Sequence, residues 1–192
     1  RGNGRHARQD ESWRLSTEPP TLVTDRLILR PQQASDYEAC VAMWNDEEVV
    51  RHIGGATRPA QDVWFNLARS RGMWPLIGYG YWIAVERGSQ RFIGEVGFSD
   101  FKRGMNPDLS DCPEAGWAFN RDSWGKGYAS EAVGAIHDWL DEHRPGPSNC
   151  IIDSGNLASR RVAEKSGYAF WCEALYRDNP VNVFRREGAA TP

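Results

Sequence analysis

A chain of 192 residues with 40% hydrophobic and 26% charged residues has room for about one domain with a substantial core. Its net charge of −3 supplies no cationic field that would gather nucleic acid, and the sequence holds no apolar run long enough to span a membrane. Its four cysteines, Cys40, Cys112, Cys150 and Cys172, form no CxxC pair or Cys/His cluster of zinc spacing, so no metal site is expected and reduced thiols in a cytoplasmic setting are.

The N-terminal stretch RGNGRHARQDESWRLSTEPP has basic residues but no apolar segment behind them, so it reads as a tail over residues 1–20, partly ordered around Trp13, and not as a secretory signal. TLVTDRLILRP predicts a strand at residues 21–30. In SDYEACVAMW, Ser35 and Glu38 fit a capping box, while Tyr37, Val41 and Trp44 share one helical face. A second helix is expected from TRPAQDVWFNLARSRG, with Pro59 near its first turn, a stripe of Val63, Trp64, Leu67 and Ala68, and Gly72 as its stop.

Strands follow at residues 81–86 and 92–101, joined as a hairpin by the short polar link 87–90. After a long loop, EAGWAFN predicts a short strand at residues 114–120. Ala132, Val133, Ile136, Trp139 and Leu140 recur at helical spacing and place a third helix at residues 129–142, which RPGP ends. NCIID reads as a buried strand, and GNLASRRVAEKSG as a helix that starts near Asn156 and stops at Gly167. Two last strands, 168–176 and 181–186, turn at RDNP, and residues 188–192 form a short C-terminal tail. The element order predicts one α/β layered domain over residues 21–187, with a mixed, mostly antiparallel sheet of about seven strands and helices on both faces.

The segment RDSWGKGYASEAV, between the strand at 114–120 and the third helix, carries two glycines around a lysine. A Walker loop fails twice: the residue five before Gly125 is Asn120, and Gly127 follows Lys126 where Ser or Thr is required. A dinucleotide fingerprint fails at its third glycine, which is Ser130 here. Two readings stay open. The glycines serve only the angles of a turn, or the strand–turn–helix arrangement aims the backbone N–H groups of residues 125–130 into one concavity at the positive end of the helix, where a pyrophosphate would sit.

With TDRLILRP, PEAGWAFNRDSWGKGYASEA and NLASRRVAEKSGY in this order, the chain resembles the GNAT superfamily of acyl-CoA-dependent N-acyltransferases, most closely the branch that includes the ribosomal-protein alanine N-acetyltransferases. The resemblance covers residues 21–187. The family's pyrophosphate motif, [QR]-x-x-G-x-[GA], aligns with Trp124, Gly125, Lys126, Gly127, Tyr128 and Ala129; Trp124 departs from it at the first position. The resemblance implies acetyl-CoA as co-substrate. Backbone groups of Trp117, Ala118 and Phe119 would pair with the pantetheine arm and polarise the thioester carbonyl, residues 125–130 would take the pyrophosphate, Asn156 would bond the arm while also capping its helix, and Ser159 would approach the cofactor. Arg160, Arg161 and Lys165 either meet the adenosine phosphate or form a solvated face.

The implied reaction is direct attack of an amine on the thioester, which needs a base because an alkylammonium is mostly charged at neutral pH. Glu114 is the first candidate and Glu95 the second. The tyrosine acid that some members carry seven residues after the asparagine is replaced by Ala163. An aromatic set of Trp44, Trp64, Trp74, Tyr79, Tyr81 and Trp82, with His52, is expected to wall the amine acceptor or to pack the core. The expectation is an acetyl-CoA-dependent N-acetyltransferase, monomeric or homodimeric; the alternative is a non-catalytic acetyl-CoA sensor, and a dinucleotide-dependent oxidoreductase is a third reading. The acceptor is not named by the sequence.

Overall fold

The run at residues 21–30 forms two strands where the sequence predicts one. In the computed structural model, which describes residues 18–110 and 112–189, β1 (Leu22–Val23) turns back antiparallel onto β2 (Leu27–Arg30). Thr24 makes the turn. Its N–H donates to the Leu27 carbonyl at 2.9 Å, and its hydroxyl oxygen accepts from the Leu27 N–H at 2.9 Å. Trp13 lies outside the described residues. Of the expected tail, Glu18 pairs with Arg71 at 2.6 Å and the Pro20 carbonyl accepts from the Trp82 indole at 2.8 Å.

Helix α1 (Tyr37–Trp44) starts after a 3₁₀ turn, and the Ser35–Glu38 box does not form. Asp36 takes that role: its carboxylate accepts from the Gln33 N–H at 2.7 Å and from both Arg30 terminal nitrogens at 2.9 and 2.6 Å. An ionised acceptor held by a guanidinium outcompetes a hydroxyl. A further short helix, α2 (Glu47–Val50), is capped by Asp46, whose side chain accepts from the Glu48 N–H at 3.0 Å. Helix α3 (Ala60–Ile77) passes the predicted stop at Gly72 and even Pro75, ending at Gly78 with φ +78°. Its last turn is held by packing. Trp74 is fully buried and meets Trp82 and Trp139 edge-to-face at 4.7 and 5.3 Å.

The remaining elements are β3 (Tyr81–Glu86), β4 (Phe92–Ser99), β5 (Glu114–Phe119), α4 (Tyr128–His143), β6 (Ser148–Asp153), α5 (Leu157–Lys165), β7 (Ala169–Tyr176) and β8 (Asn179–Arg186). Eight strands, one more than expected, form a single sheet in the order β1-β2-β3-β4-β5-β6-β8-β7. All neighbours are antiparallel except β5 and β6. Arg177 and Asp178, at φ +50° and +64°, make the tight turn between β7 and β8.

Helices cover both faces. Leu27, Trp82, Val96, Phe98, Ala115 and Phe119 pack with Ala132, Val133 and Ile136 of α4 on one side. Ile83, Val85 and Ala118 pack with Cys40, Met43 and Trp44 of α1 and with Val63 and Leu67 of α3 on the other. The parallel junction positions the site: β5 and β6 share one registered pair, Glu114↔Asn149, whereas β4 and β5 are paired along the full length of β5.

Candidate functional site

Beyond Glu114↔Asn149 the two parallel strands diverge and leave one edge of β5 without a partner strand. The phase of the β4–β5 ladder decides which groups that edge presents. Asn120 N–H donates to the Ile93 carbonyl at 2.8 Å, so backbone groups of Ala118, Gly116 and Glu114 turn toward β4, and those of Ala115, Trp117 and Phe119 turn toward β6. The bond from Asn149 N–H to the Pro113 carbonyl, 2.9 Å, lies on that side. The Phe119 carbonyl is taken by the Trp124 indole N–H at 2.8 Å. Trp117 is thus left facing the gap with both of its backbone groups. Ala118, grouped with its neighbours by sequence, faces the other way.

At the far end of β5 the chain enters the glycine loop. Gly125 and Gly127 have φ of +71° and +81°, a region L side chains rarely adopt. Gly127 is the N-cap of α4. The backbone N–H groups of residues 125–130 have no hydrogen-bond partner among the described residues, and the first bond of the helix terminus runs from Glu131 N–H to the Gly127 carbonyl at 3.1 Å. Six donors at a helix N-terminus form a ready anion cradle. Tyr128 is buried; Ala129 and Ser130 are half-buried. The Lys126 side chain is exposed, and what the fold uses is its carbonyl, which accepts from Arg26 at 2.8 Å.

Arg26 was not singled out in the sequence, though it stands in the TDRL segment. Its guanidinium lies 4.7 Å from the Tyr128 ring centroid and binds Glu131 in the first turn of α4 at 2.6 Å. Glu131 also accepts from the Thr24 hydroxyl at 2.6 Å and the Arg26 N–H at 2.9 Å. The β1–β2 turn therefore braces the loop and leaves a cation beside it.

Asn156 caps α5, accepting from the Ser159 N–H at 3.0 Å through its side-chain oxygen. Its amide nitrogen makes no hydrogen bond among the described residues. Arg160 is occupied by Glu164 at 2.8 Å, and Arg161 and Lys165 are exposed. That is the geometry of a solvated helix face.

By strand alternation, Glu114, Glu95 and Asn149 lie on the face away from α4. Glu114 is buried, and its two oxygens are held by Arg103, with Nε at 2.7 Å and Nη2 at 2.6 Å. Arg103, from the loop after β4, also lies over Phe101 and Tyr176 at 4.4 and 4.5 Å. Glu95 is buried too, but its partners are neutral donors: the Trp44 indole at 2.7 Å and the Cys40 thiol at 3.9 Å. Burial raises the Glu95 pKa above the usual carboxylate range, outweighing the Trp44 donor and the nearby Arg58 cation. Arg58 itself stacks on Trp44 with 3.5 Å between its guanidinium carbon and the ring centroid. Asn149 is fully buried at the closed end of the gap, and its amide nitrogen has no partner there. A buried donor without an acceptor is rare in folded proteins.

The aromatic set separates. Trp74, Tyr79 and Trp82 join Trp139 in the core on the α4 side, so they do not wall a cleft on the opposite face. Trp44, Trp64 and Tyr81 remain there. His52 bonds Asp153, at the end of β6, at 2.9 Å, and Arg121, just after β5, pairs with Asp46 at 3.5 Å. The α2 segment thus spans the open end of the gap. His137 is buried between the Val133 carbonyl and the Tyr168 hydroxyl, at 2.7 and 2.9 Å, away from the gap. None of the four cysteines is in a disulfide, and no His/Cys/Asp/Glu group that could hold a metal is found among the described residues. No helix of the described residues is long and apolar enough to cross a membrane.

Residues 26–169 match the family described as the acetyltransferase (GNAT) domain. The chain is 31% identical over 171 residues to the protein YkkB of Bacillus subtilis, which is uncharacterized; the match covers 86% of this chain and 95% of YkkB. It is similar in structure to an acetyltransferase from Agrobacterium tumefaciens, with a TM-score of 0.76 and 25% identity over 88% of this chain and 95% of that one. At 13% identity and a TM-score of 0.68, over 88% of this chain and 98% of the other, it shares its fold with RimL, a ribosomal L7/L12 α-N-protein acetyltransferase crystallised with coenzyme A.

Proposed function

The chain belongs to the GNAT acetyltransferase family, and we propose that it transfers the acetyl group of acetyl-CoA to a primary amine by direct attack within a ternary complex. The observation that carries this reading is the unpaired edge of β5, with Trp117 facing the gap, ending in six unpartnered amides at the α4 N-terminus. A long ligand with amides along its arm and a pyrophosphate at its end fits both features. Residues 125–130 would hold the pyrophosphate, assisted by Arg26; Trp117 would pair with the arm; the free Asn156 amide would meet it from α5. Ser159, held to the same cap, stands beside that contact. Acetyl-CoA, when bound, supplies the activated thioester. The Trp117 N–H and the Asn149 amide nitrogen would stabilise negative charge on the carbonyl oxygen.

The amine must shed a proton. Two buried carboxylates are available on the acceptor face, and their partners differ. Glu114 stands at the closed end of the gap with both oxygens engaged by Arg103. Glu95 has neutral donors and a raised proton affinity, which suits a base at neutral pH. Glu95→Gln and Glu114→Gln are to be assayed with acetyl-CoA and a panel of amines, following release of free thiol. The variant that lowers kcat by about 10²-fold or more while keeping acetyl-CoA affinity identifies the base. Tight acetyl-CoA binding by the wild type without turnover on amino acids, polyamines or peptide N-termini would leave the sensor reading in its place.

A further inference from the structure

Tyr81 heads β3, and in the ladder it stands in one cross-strand row with Gly97 of β4 and Gly116 of β5. Two glycines in that row leave the acceptor face bare, and the phenol lies across them. A Cβ built on Gly116 would meet the Tyr81 hydroxyl oxygen at 2.0 Å, so the oxygen occupies the place of the side chain that Gly116 lacks. It therefore sits over β5 one residue from Trp117, whose backbone faces the gap, and two residues from Glu114 at the gap's closed end. Its hydroxyl makes no hydrogen bond among the described residues. The residue itself is fixed: its carbonyl accepts from Gln32 at 2.8 Å and from the Trp74 indole at 3.3 Å, and its ring meets Phe101 edge-on at 6.5 Å.

Resting on the acetyl-transfer reading above, we propose that the Tyr81 phenol is the proton donor to the sulfur that leaves when the thioester is cleaved. The C–S bond breaks, its electron pair goes to sulfur, and the phenol proton follows to give the free thiol. The proton that the amine loses on becoming an amide restores the phenol, so the sum is one amine and one thioester converted to one amide and one thiol. Burial holds the phenol protonated far above its ordinary range; Glu114 of β5 and Glu95 of β4 act in the same sense, and Arg103 of the β4–β5 loop and Arg69 of α3 oppose it. The phenol therefore keeps its proton at neutral pH, where it can hydrogen-bond to the sulfur as negative charge builds there. The position where the resembling enzymes carry their tyrosine acid is Ala163, fully buried in the core, so no phenol from α5 competes for the role.

The test uses the thiol of bound coenzyme A and needs no acceptor. Free coenzyme A is titrated in complex with wild-type protein, Tyr81→Phe and Gly116→Ala, and thiolate is read from its ultraviolet absorbance. A phenol that donates to sulfur stabilises the thiolate, so the bound thiol should titrate about one to two pH units higher in Tyr81→Phe than in the wild type. Gly116→Ala, whose methyl displaces the phenol, should show the same shift, and the double variant no more than either. In turnover with acetyl-CoA and the amine that the panel selects, Tyr81→Phe should lose about 10²-fold or more in kcat with its acetyl-CoA affinity within threefold. Equal thiol titration in wild type and both variants overturns the proposal and leaves the acetyl-transfer reading intact. A wild-type protein that binds no coenzyme A overturns both.

Discussion

Replacing Gly127 by valine, with Lys126→Ala as its comparison, separates a backbone cradle from a lysine-based phosphate site. Gly127 holds φ +81° and ψ 2°, where an L residue costs about 1–2 kcal/mol and a β-branched one more. The added Cβ would meet only the Arg26 guanidinium end at 3.3 Å, a flexible neighbour, so the penalty is one of backbone conformation and not of collision. Two outcomes are physically open to the chain. It retains the left-handed turn and loses about 2–8 °C in Tm, or it leaves that turn and carries amides out of the concavity. Each amide-to-phosphate bond is worth about 1.5–3 kcal/mol, so loss of even one raises the acetyl-CoA Kd by about tenfold to a hundredfold. Lys126 offers an exposed ammonium, worth at most about 1 kcal/mol, so Lys126→Ala should raise Kd less than about fivefold. Calorimetric titration with acetyl-CoA, paired with melts of the unliganded variants, reads both effects. A larger affinity loss in Lys126→Ala than in Gly127→Val refutes the cradle.

Two further outcomes follow from the interior. Burial pushes the His137 pKa down to about 4, so the unfolded chain takes up a proton near pH 6.5 while the folded one resists. The stability gained from the neutral ring is full above pH 6.5 and is lost as the pH falls toward 4, by about 3 kcal/mol, and His137→Gln should remove most of that slope in urea unfolding at pH 7 and pH 4.5; an unchanged slope would mean that other groups set the acid limit. Trp74→Ala removes the packing that carries α3 past Pro75, so unfolding free energy should fall by about 3–5 kcal/mol and hydrogen exchange over the last turn of α3 should quicken, whereas a loss confined to global stability would place the helix's persistence elsewhere.

Most of the element order was legible because period and punctuation agree. The hairpin at 87–90, the start of α5 at Asn156 and its stop at Gly167 each combine a hydrophobic pattern with turn or cap chemistry. The failures occur where a long-range contact overrides a local signal. Gly72 and Pro75 are both helix breakers, yet the tryptophan between them is drawn into a cluster with Trp82 and Trp139, which lie 8 and 65 positions further on. Thr24 divides an apparently continuous strand through two hydrogen bonds that no periodicity reports. At the site, the glycine loop was visible because positive φ restricts composition. Arg103, Arg26 and Asn149 were not, because each acquires its role only from partners in other elements: Glu114, Glu131 and the closed end of the gap.

The cleft itself follows from one topological choice. A parallel strand inserted beside β5 is tied to it at a single pair, and α2 bridges the open end through Arg121–Asp46 and His52–Asp153, so the gap is bounded at both ends before any ligand enters. Backbone alternation then divides the labour on β5. Odd-numbered residues turn their amides to the gap, and even-numbered ones turn their side chains to the face away from α4, so under the proposed function Trp117 would meet the arm of a thioester while Glu114, and the Tyr81 phenol over Gly116, would meet its reacting end. A one-residue slip of β5 would exchange these sets and bury Glu114 against α4. The full pairing of β5 with β4, and the Trp124 indole locked on the Phe119 carbonyl, protect that register against such a slip. Trp124, the position where this chain departs from the family pattern, therefore contributes by fixing the strand whose edge faces the gap.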